Sequence, residues 1–207
     1  MKMNNEEVYN TLVSYFPNYK VELNYTHDYE LLLSTMLSAQ TTDKRVNEVT
    51  KELYAKYDSL DKLNALEEEK IQELIKSLGF YKTKSKSFKK IVESLNEIGY
   101  VPNDRTYLES LSGVGRKTAN VVLAELYNEP CIAVDTHVHR VSKRLGISNE
   151  KDDVVVTEKK LEKYFDKKYW NSLNSLIVLF GRYRCKAKNP KCEDCKLKSI
   201  CKYKKSS

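Results

Sequence analysis

Apolar residues recur along this chain at intervals of three and four, the spacing that gathers them on one face of an α-helix. Val8, Leu12, Val13 and Phe16 form the first stripe, which stops at Pro17. Leu32, Leu33, Met36 and Leu37 form the next, followed by Val46, Val49 and Leu53. Ile71, Leu74, Ile75 and Leu78 make another, and Phe88, Ile91, Val92 and Leu95 the one after it. Strict apolar–polar alternation never lasts more than a few residues, so strands are not supported. Gly99, Pro102, Pro130 and Gly146 fall between stripes, where such residues cap or end helices. The pattern predicts an all-α protein with short connections and no low-complexity linker. Residues 74–91 and 108–122 echo one another weakly, each running from a helix through a glycine turn into a basic helix start.

Composition adds size and charge to this picture. A chain of 207 residues, 41% hydrophobic and 31% charged, suits one large soluble domain or two small ones. The formal net charge of +7 is unevenly placed. From Arg182 onward ten lysines and arginines face only Glu193 and Asp194, a local excess of eight, which leaves the rest of the chain at minus one. So concentrated a positive field favours a polyanion, and nucleic acid is the obvious candidate. A merely solvated basic tail is the alternative. Metal-ligand candidates interleaved with the charges weaken that alternative.

Those candidates are Cys185, Cys192, Cys195 and Cys201, spaced C-x6-C-x2-C-x5-C. No secretory signal or membrane segment precedes them, so a cytoplasmic, reducing compartment is expected and disulfides are disfavoured. Zinc sites usually pair two separated knuckles, whereas here only Cys192 and Cys195 form a close pair. A single loop wrapping something bulky suits an iron–sulfur cubane better than one zinc ion, though spacing alone leaves both open. The fifth cysteine, Cys131, reads as a small buried hydrophobe.

A second constellation is LSGVGRKTAN at residues 111–120, with apolar Leu108 and Leu111 before it and Val121, Val122 and Leu126 after it. Two glycines around one apolar residue make a tight helix–helix turn, and bare backbone there lets N–H groups approach a phosphate. The helix that starts at the same point adds its N-terminal dipole. Phosphate binding by Gly113, Gly115 and Arg116 therefore competes with a simple hairpin. Lys117 follows in the first helical turn. A lysine amine can form a Schiff base, but a lysine after such a turn is equally read as a phosphate contact. Asp135, after Ile132-Ala133-Val134, is a candidate acid, with capping of the next helix as its alternative role.

These pieces together resemble the endonuclease III family of DNA base-excision glycosylases. The matching stretches are LSAQTTD (37–43), LGFYKTK (78–84), LSGVGRKTANVVL (111–123), IAVDTHVHRV (132–141), and GRYRC through Cys201. Their order and spacing cover nearly the whole chain. The resemblance implies two α-helical domains with a cleft between them. One is a six-helix barrel at about residues 20–130 with its helix–hairpin–helix at about 108–127. The other joins residues 1–19 to 131–207 and holds a [4Fe–4S] cluster on the four cysteines of loop 185–201.

The resemblance also assigns roles. Lys117 would attack C1′ of a damaged nucleotide flipped out of duplex DNA, and Asp135 would assist. The imine would then allow β-elimination, making the protein a bifunctional glycosylase and AP lyase for oxidised pyrimidines. A lysine at this position, and a chain ending soon after the last cysteine, both set it apart from adenine-mismatch relatives. Gln40 would fill the vacated stack and Phe80 would act as wedge, where relatives often carry leucine. Lys84, Gly113, Gly115, Arg116, Lys186, Lys188 and Lys191 are the expected DNA contacts. Ser38, Asp43 and Glu109 are expected to line the pocket or order its waters, with capping or plain exposure as the competing reading. A monomer acting on double-stranded DNA with damaged or abasic sites follows. The competing function is a non-catalytic, structure-specific DNA-binding iron–sulfur protein, which fits everything except the joint presence of Lys117 and Asp135.

Overall fold

The first stripe becomes helix α1 (Asn5–Tyr15) because Asn4 caps it. Asn4 Oδ1 accepts from the Glu7 N–H at 2.8 Å, and Glu7 returns a bond to the Asn4 N–H at 2.8 Å. The helix ends at Phe16, ahead of Pro17. Similar local logic sets the other elements in this computed structural model, which describes residues 3–203. In chain order they are α2 (Asp28–Leu37), α3 (Asp43–Lys56), α4 (Leu60–Asn64), α5 (Glu68–Ile75), α6 (Tyr81–Ile98) and α7 (Arg105–Ser110). Then come α8 (Arg116–Tyr127), α9 (Thr136–Arg144), α10 (Val154–Tyr164) and α11 (Trp170–Tyr183), the last preceded by a 3-10 turn at Lys167–Tyr169. Among the described residues there is no strand, so the fold is all-α. No described helix is long and apolar enough to cross a membrane.

The chain divides into two compact units. One is Val21–Tyr127; the other joins the segment through Lys20 to the chain from Asn128 onward. In the first unit α2 is the centre, packed on α3, α6 and α8. Every residue from Glu30 to Leu37 is buried, more than the four-residue stripe predicts. A helix buried all round needs its polar side chains satisfied internally. Ser34 Oγ lies 3.0 Å from the Tyr54 hydroxyl, and Thr35 Oγ1 donates to the Leu31 carbonyl at 2.7 Å. The Glu30 carboxylate accepts from the Thr26 N–H at 2.6 Å, holding the helix start. Leu31, Leu32, Leu33 and Leu37 are fully inaccessible, each contributing about 2 kcal/mol by burial. The long helix α6 lies on α2, α4 and α5 through Phe88, Ile91, Val92 and Leu95. It stops at Gly99, whose φ of 81° closes a cap onto the Leu95 carbonyl at 2.7 Å.

The second unit packs α11 against α1 and α9, with α10 on α9. Val8, Leu12, Val138, Val141, Leu173 and Ile177 make its core. After α11 the chain forms turns, pinned by Leu197, which is inaccessible in that same core. Trp170 is half-buried against the core and donates from Nε1 to the Phe165 carbonyl at 2.9 Å. Cys131 is buried, as its apolar neighbours suggest.

Candidate functional site

Two turns of the first unit carry the residues expected to enter a base stack. Gln40 sits after α2 with φ of 54°, and Phe80 begins α6 with φ of 58°. Both are exposed, Phe80 at 65%. A left-handed conformation is unfavourable for residues with a Cβ and persists only where surroundings fix it. The turns touch: a Cβ placed on Gly79 would lie 3.6 Å from the Gln40 carbonyl oxygen and 3.9 Å from Thr41 Oγ1. Ser38 caps the end of α2, its Oγ donating to the Thr35 carbonyl at 2.8 Å. Asp43 opens α3, half-buried.

Lys84 differs from its expected place as a DNA contact. It is only 6% exposed, and its ammonium donates to Thr41 Oγ1 at 2.9 Å. Burial pulls its pKa down. On a helix the side chain leans back toward the N-terminus, and here that direction runs into the protein beneath the turn. Lys82 and Lys86, on the same basic helix start, are exposed.

The hairpin joins α7 to α8. Gly113 has φ of 77°, and a Cβ there would come within 2.8 Å of Ser87 Oγ, so this glycine is required by both conformation and close packing. Ser87 Oγ lies 3.1 Å from Ser112 Oγ, tying the turn to α6. At Gly115 a Cβ would meet nothing within 4 Å, which leaves the backbone open outward. Arg116 and Lys117 occupy the first turn of α8 and are exposed. Backbone N–H groups at such a start have no intrahelical acceptor and carry the positive dipole end. Glu109, expected to line a pocket, is exposed on α7 and pairs with Arg105 at 3.4 Å. The Arg105 guanidinium also reaches the Oδ1 of Asn120, which is buried in α8 one turn beyond Lys117. That link has no sequence signal, since its partners are 15 residues apart on different helices.

Lys117 belongs to the first unit and Asp135 to the second. Asp135 caps α9: its Oδ1 accepts from the N–H groups of His137 and Val138, both at 2.8 Å. The alternative capping role is thus realised. Both bonds enter through one oxygen, so capping fixes the carboxylate while using half of it. Further along α9, Arg140 Nη2 donates to the Gly181 carbonyl at 2.9 Å and lies 3.1 Å from His137 Nδ1. Arg140 Nε reaches the Cys185 carbonyl at 3.3 Å. Burial keeps the His137 imidazole below its usual pKa, with Asp135 opposing that shift.

The four cysteines line one cavity of about 360 Å³ in the second unit, with Leu145, Phe180 and Tyr203 among its walls. None of the five cysteines is in a disulfide. Burial pushes the Cys195 and Cys201 thiols up, and the neighbouring cysteines push the same way. Held as thiolates, four such sulfurs in one cavity would need a cationic guest. Among the described residues no group of three or more His, Cys, Asp or Glu is arranged to hold a metal ion directly. Soft donors spread around a cavity of this size fit a multinuclear cluster as their guest. Arg144 staples the loop from outside, donating to the carbonyls of Lys186 at 2.7 Å and Ala187 at 3.2 Å and approaching Cys185 Sγ at 3.3 Å. Its guanidinium also stacks on the Tyr203 ring, 3.9 Å from the centroid. From α1, the Tyr15 hydroxyl donates to the Asp194 carbonyl at 3.2 Å and accepts from the Lys196 N–H at 2.7 Å. Lys186, Lys188 and Lys191 are exposed on this loop, while Lys204 and Lys205 of the basic stretch lie outside the described residues.

Comparisons with known proteins agree with this geometry. The model of the HhH-GPD superfamily of base excision DNA repair proteins matches residues 33–167. Endonuclease III of Bacillus subtilis (strain 168) is 46% identical over 189 residues, covering 90% of this chain and 86% of that protein. Endonuclease III of Rickettsia felis is 43% identical over 189 residues, covering 90% of this chain and 88% of that protein. Among solved structures, a trapped endonuclease III–DNA covalent intermediate superposes with a TM-score of 0.91 at 40% identity, covering 97% of this chain and 96% of that one. A thermostable thymine-DNA glycosylase at 21% identity shares the fold, with a TM-score of 0.85 over 96% of this chain and 95% of that one. From the matched superfamily model and from relatives similar over nearly their whole length, the chain belongs to the endonuclease III family of the HhH-GPD superfamily.

Proposed function

We propose that this protein is a bifunctional DNA glycosylase and AP lyase that removes oxidised pyrimidines from duplex DNA. The observation that carries the reading is Lys117: an exposed amine at the start of a helix, directly after a turn whose backbone is open outward at Gly115. A similar endonuclease III is known as a trapped covalent intermediate with DNA, and an amine so presented is a fitting attacking group.

In this mechanism the hairpin backbone at Gly113 and Gly115, with Arg116, grips phosphates. Gln40 and Phe80 enter the base stack as the damaged nucleotide leaves it. Lys117 Nζ, deprotonated, attacks C1′ while the bond from C1′ to the base nitrogen breaks, and the base departs with the electron pair and gains a proton. Asp135 supports this step as proton acceptor for the amine and as counter-charge to the oxocarbenium-like transition state. The sugar ring then opens and the amine becomes an imine at C1′. Loss of a C2′ proton expels the 3′ phosphate, which nicks the strand, and water releases the enzyme. Cys185, Cys192, Cys195 and Cys201 would hold a [4Fe–4S] cluster, which supplies a cationic core that ties their loop together. Lys186, Lys188 and Lys191 on that loop would meet further phosphates.

Borohydride, which reduces an imine to a stable amine, should cross-link the wild type to a duplex with an oxidised pyrimidine or abasic site. Lys117→Ala should lower trapping and nicking by on the order of a thousandfold or more. A wild type that binds lesion duplexes in a salt-sensitive way yet never traps would support the non-catalytic binder instead.

A further inference from the structure

Burying a lysine ammonium beside a single neutral partner is costly. Lys84 is in that position. Among the described residues its ammonium meets the Thr41 hydroxyl and no carboxylate, and it has three protons to donate. A methionine or leucine would fill the same interior space more cheaply. The neighbouring lysines on the helix start stay in solvent, so the inward turn of this one is specific to its position.

What the amine reaches explains the arrangement. Thr41 follows Gln40 directly, and its own N–H is held by the Ser38 carbonyl at 3.0 Å. At the other end of the same residue, the Lys84 backbone N–H donates to the Phe80 carbonyl at 3.0 Å. Lys84 therefore spans both left-handed turns, one through its side chain and one through its backbone. Its side-chain bond is a direct polar tie from α6 to the turn after α2.

We propose that Lys84 is a positioning residue that latches the turns of Gln40 and Phe80 into one rigid wedge, so that the two enter a base stack as a unit. The inference rests on the intercalating roles proposed for Gln40 and Phe80. Lys84 does not itself touch DNA. Without the latch each turn could relax toward an ordinary backbone conformation, and the protein would have to restore both on every encounter with a stacked duplex.

The test compares Lys84→Met, Thr41→Val and the double variant on two DNAs, one with an abasic site in a fully paired duplex and one with the same site in an unpaired bubble. Single-turnover trapping of each single variant should fall by about tenfold on the paired duplex, as expected for one lost charge-assisted hydrogen bond. It should stay at the wild-type rate on the bubble, where there is little stack to break. The double variant should lose no more than either single, because both remove the same bond. Equal losses on both DNAs, additive losses, or no loss at all would overturn the latch. A 2-aminopurine beside the lesion reports unstacking on binding without any chemistry. If the wild type traps neither DNA, the proposed chemistry fails, and weaker unstacking by the variants still decides the latch. Thermal melting checks folding. Methionine suits the buried stem, and Thr41 lies in an irregular turn.

Discussion

The hairpin before α8 and the cysteine loop after α11 are built in opposite ways, although both are proposed to face DNA. The hairpin is local. Gly113 makes the turn, Leu108 and Leu111 bury its first arm, and Lys117 follows within the next helical turn. The cysteine loop has no regular helix of its own and is held from far away in sequence. Arg140 and Arg144 of α9 bond to carbonyls 41 to 45 residues later. Tyr15 of α1 bonds across about 180 residues. The proposed nucleophile thus sits on a segment that folds with its neighbours, while the charged loop depends on a scaffold and on whatever fills its cavity. Substitution of the exposed Lys117 in the first region should change rate and leave stability alone. Substitution of the residues that staple the second should do the reverse.

Asp135 tests this division most severely, because it caps a scaffold helix and is also a proposed assistant in chemistry. Asp135→Asn keeps a good capping oxygen, so thermal stability should hold while base removal slows by about a hundredfold or more, measured in single-turnover assays with a lesion duplex. Asp135→Ala should show the same loss of rate and in addition about 1 kcal/mol of lost stability in denaturant melts. A large stability loss in the asparagine variant would break the comparison.

Arg144 is the counterpart in the loop. Removing its guanidinium leaves the carbonyls of Lys186 and Ala187 to water and frees the Tyr203 ring. Arg144→Ala should cost about 2 kcal/mol, lowering the calorimetric melting point by about 5 °C. Iron and sulfide retained per chain should fall with it, while protein that keeps its metal should trap abasic DNA at the wild-type rate. The smallest effect is expected from the exposed lysines. Replacing Lys186, Lys188 and Lys191 with alanine should leave melting unchanged and reduce the slope of log affinity against log salt by up to about 3, in fluorescence titrations of a duplex.

The sequence disclosed these regions unequally, for the same physical reason. The helical stripes, the Gly-Val-Gly turn and the cysteine spacing are short-range patterns, and each appears in the fold where its period puts it. The inward turn of Lys84 was not legible. In KTKSKSFKK it looks like its exposed neighbours, and only the packing of α6 under the Gln40 turn distinguishes it. The staples by Arg140, Arg144 and Tyr15 were equally hidden, since nothing local marks an arginine that will meet a carbonyl forty residues away. Ser38 and Glu109 looked like pocket residues. In the folded chain Ser38 bonds the end of α2 and Glu109 pairs with Arg105 at the surface, contacts that the motif match did not disclose.

The central claim is that Lys117 is the nucleophile, and peptide mapping tests it most directly. The wild type should be trapped with borohydride on an abasic duplex, digested with protease and nuclease, and the adduct located by mass spectrometry. The account predicts a reduced sugar remnant on the peptide containing Lys117 and on no other lysine. An adduct on a different residue, or a full yield of adduct from Lys117→Ala, would contradict it.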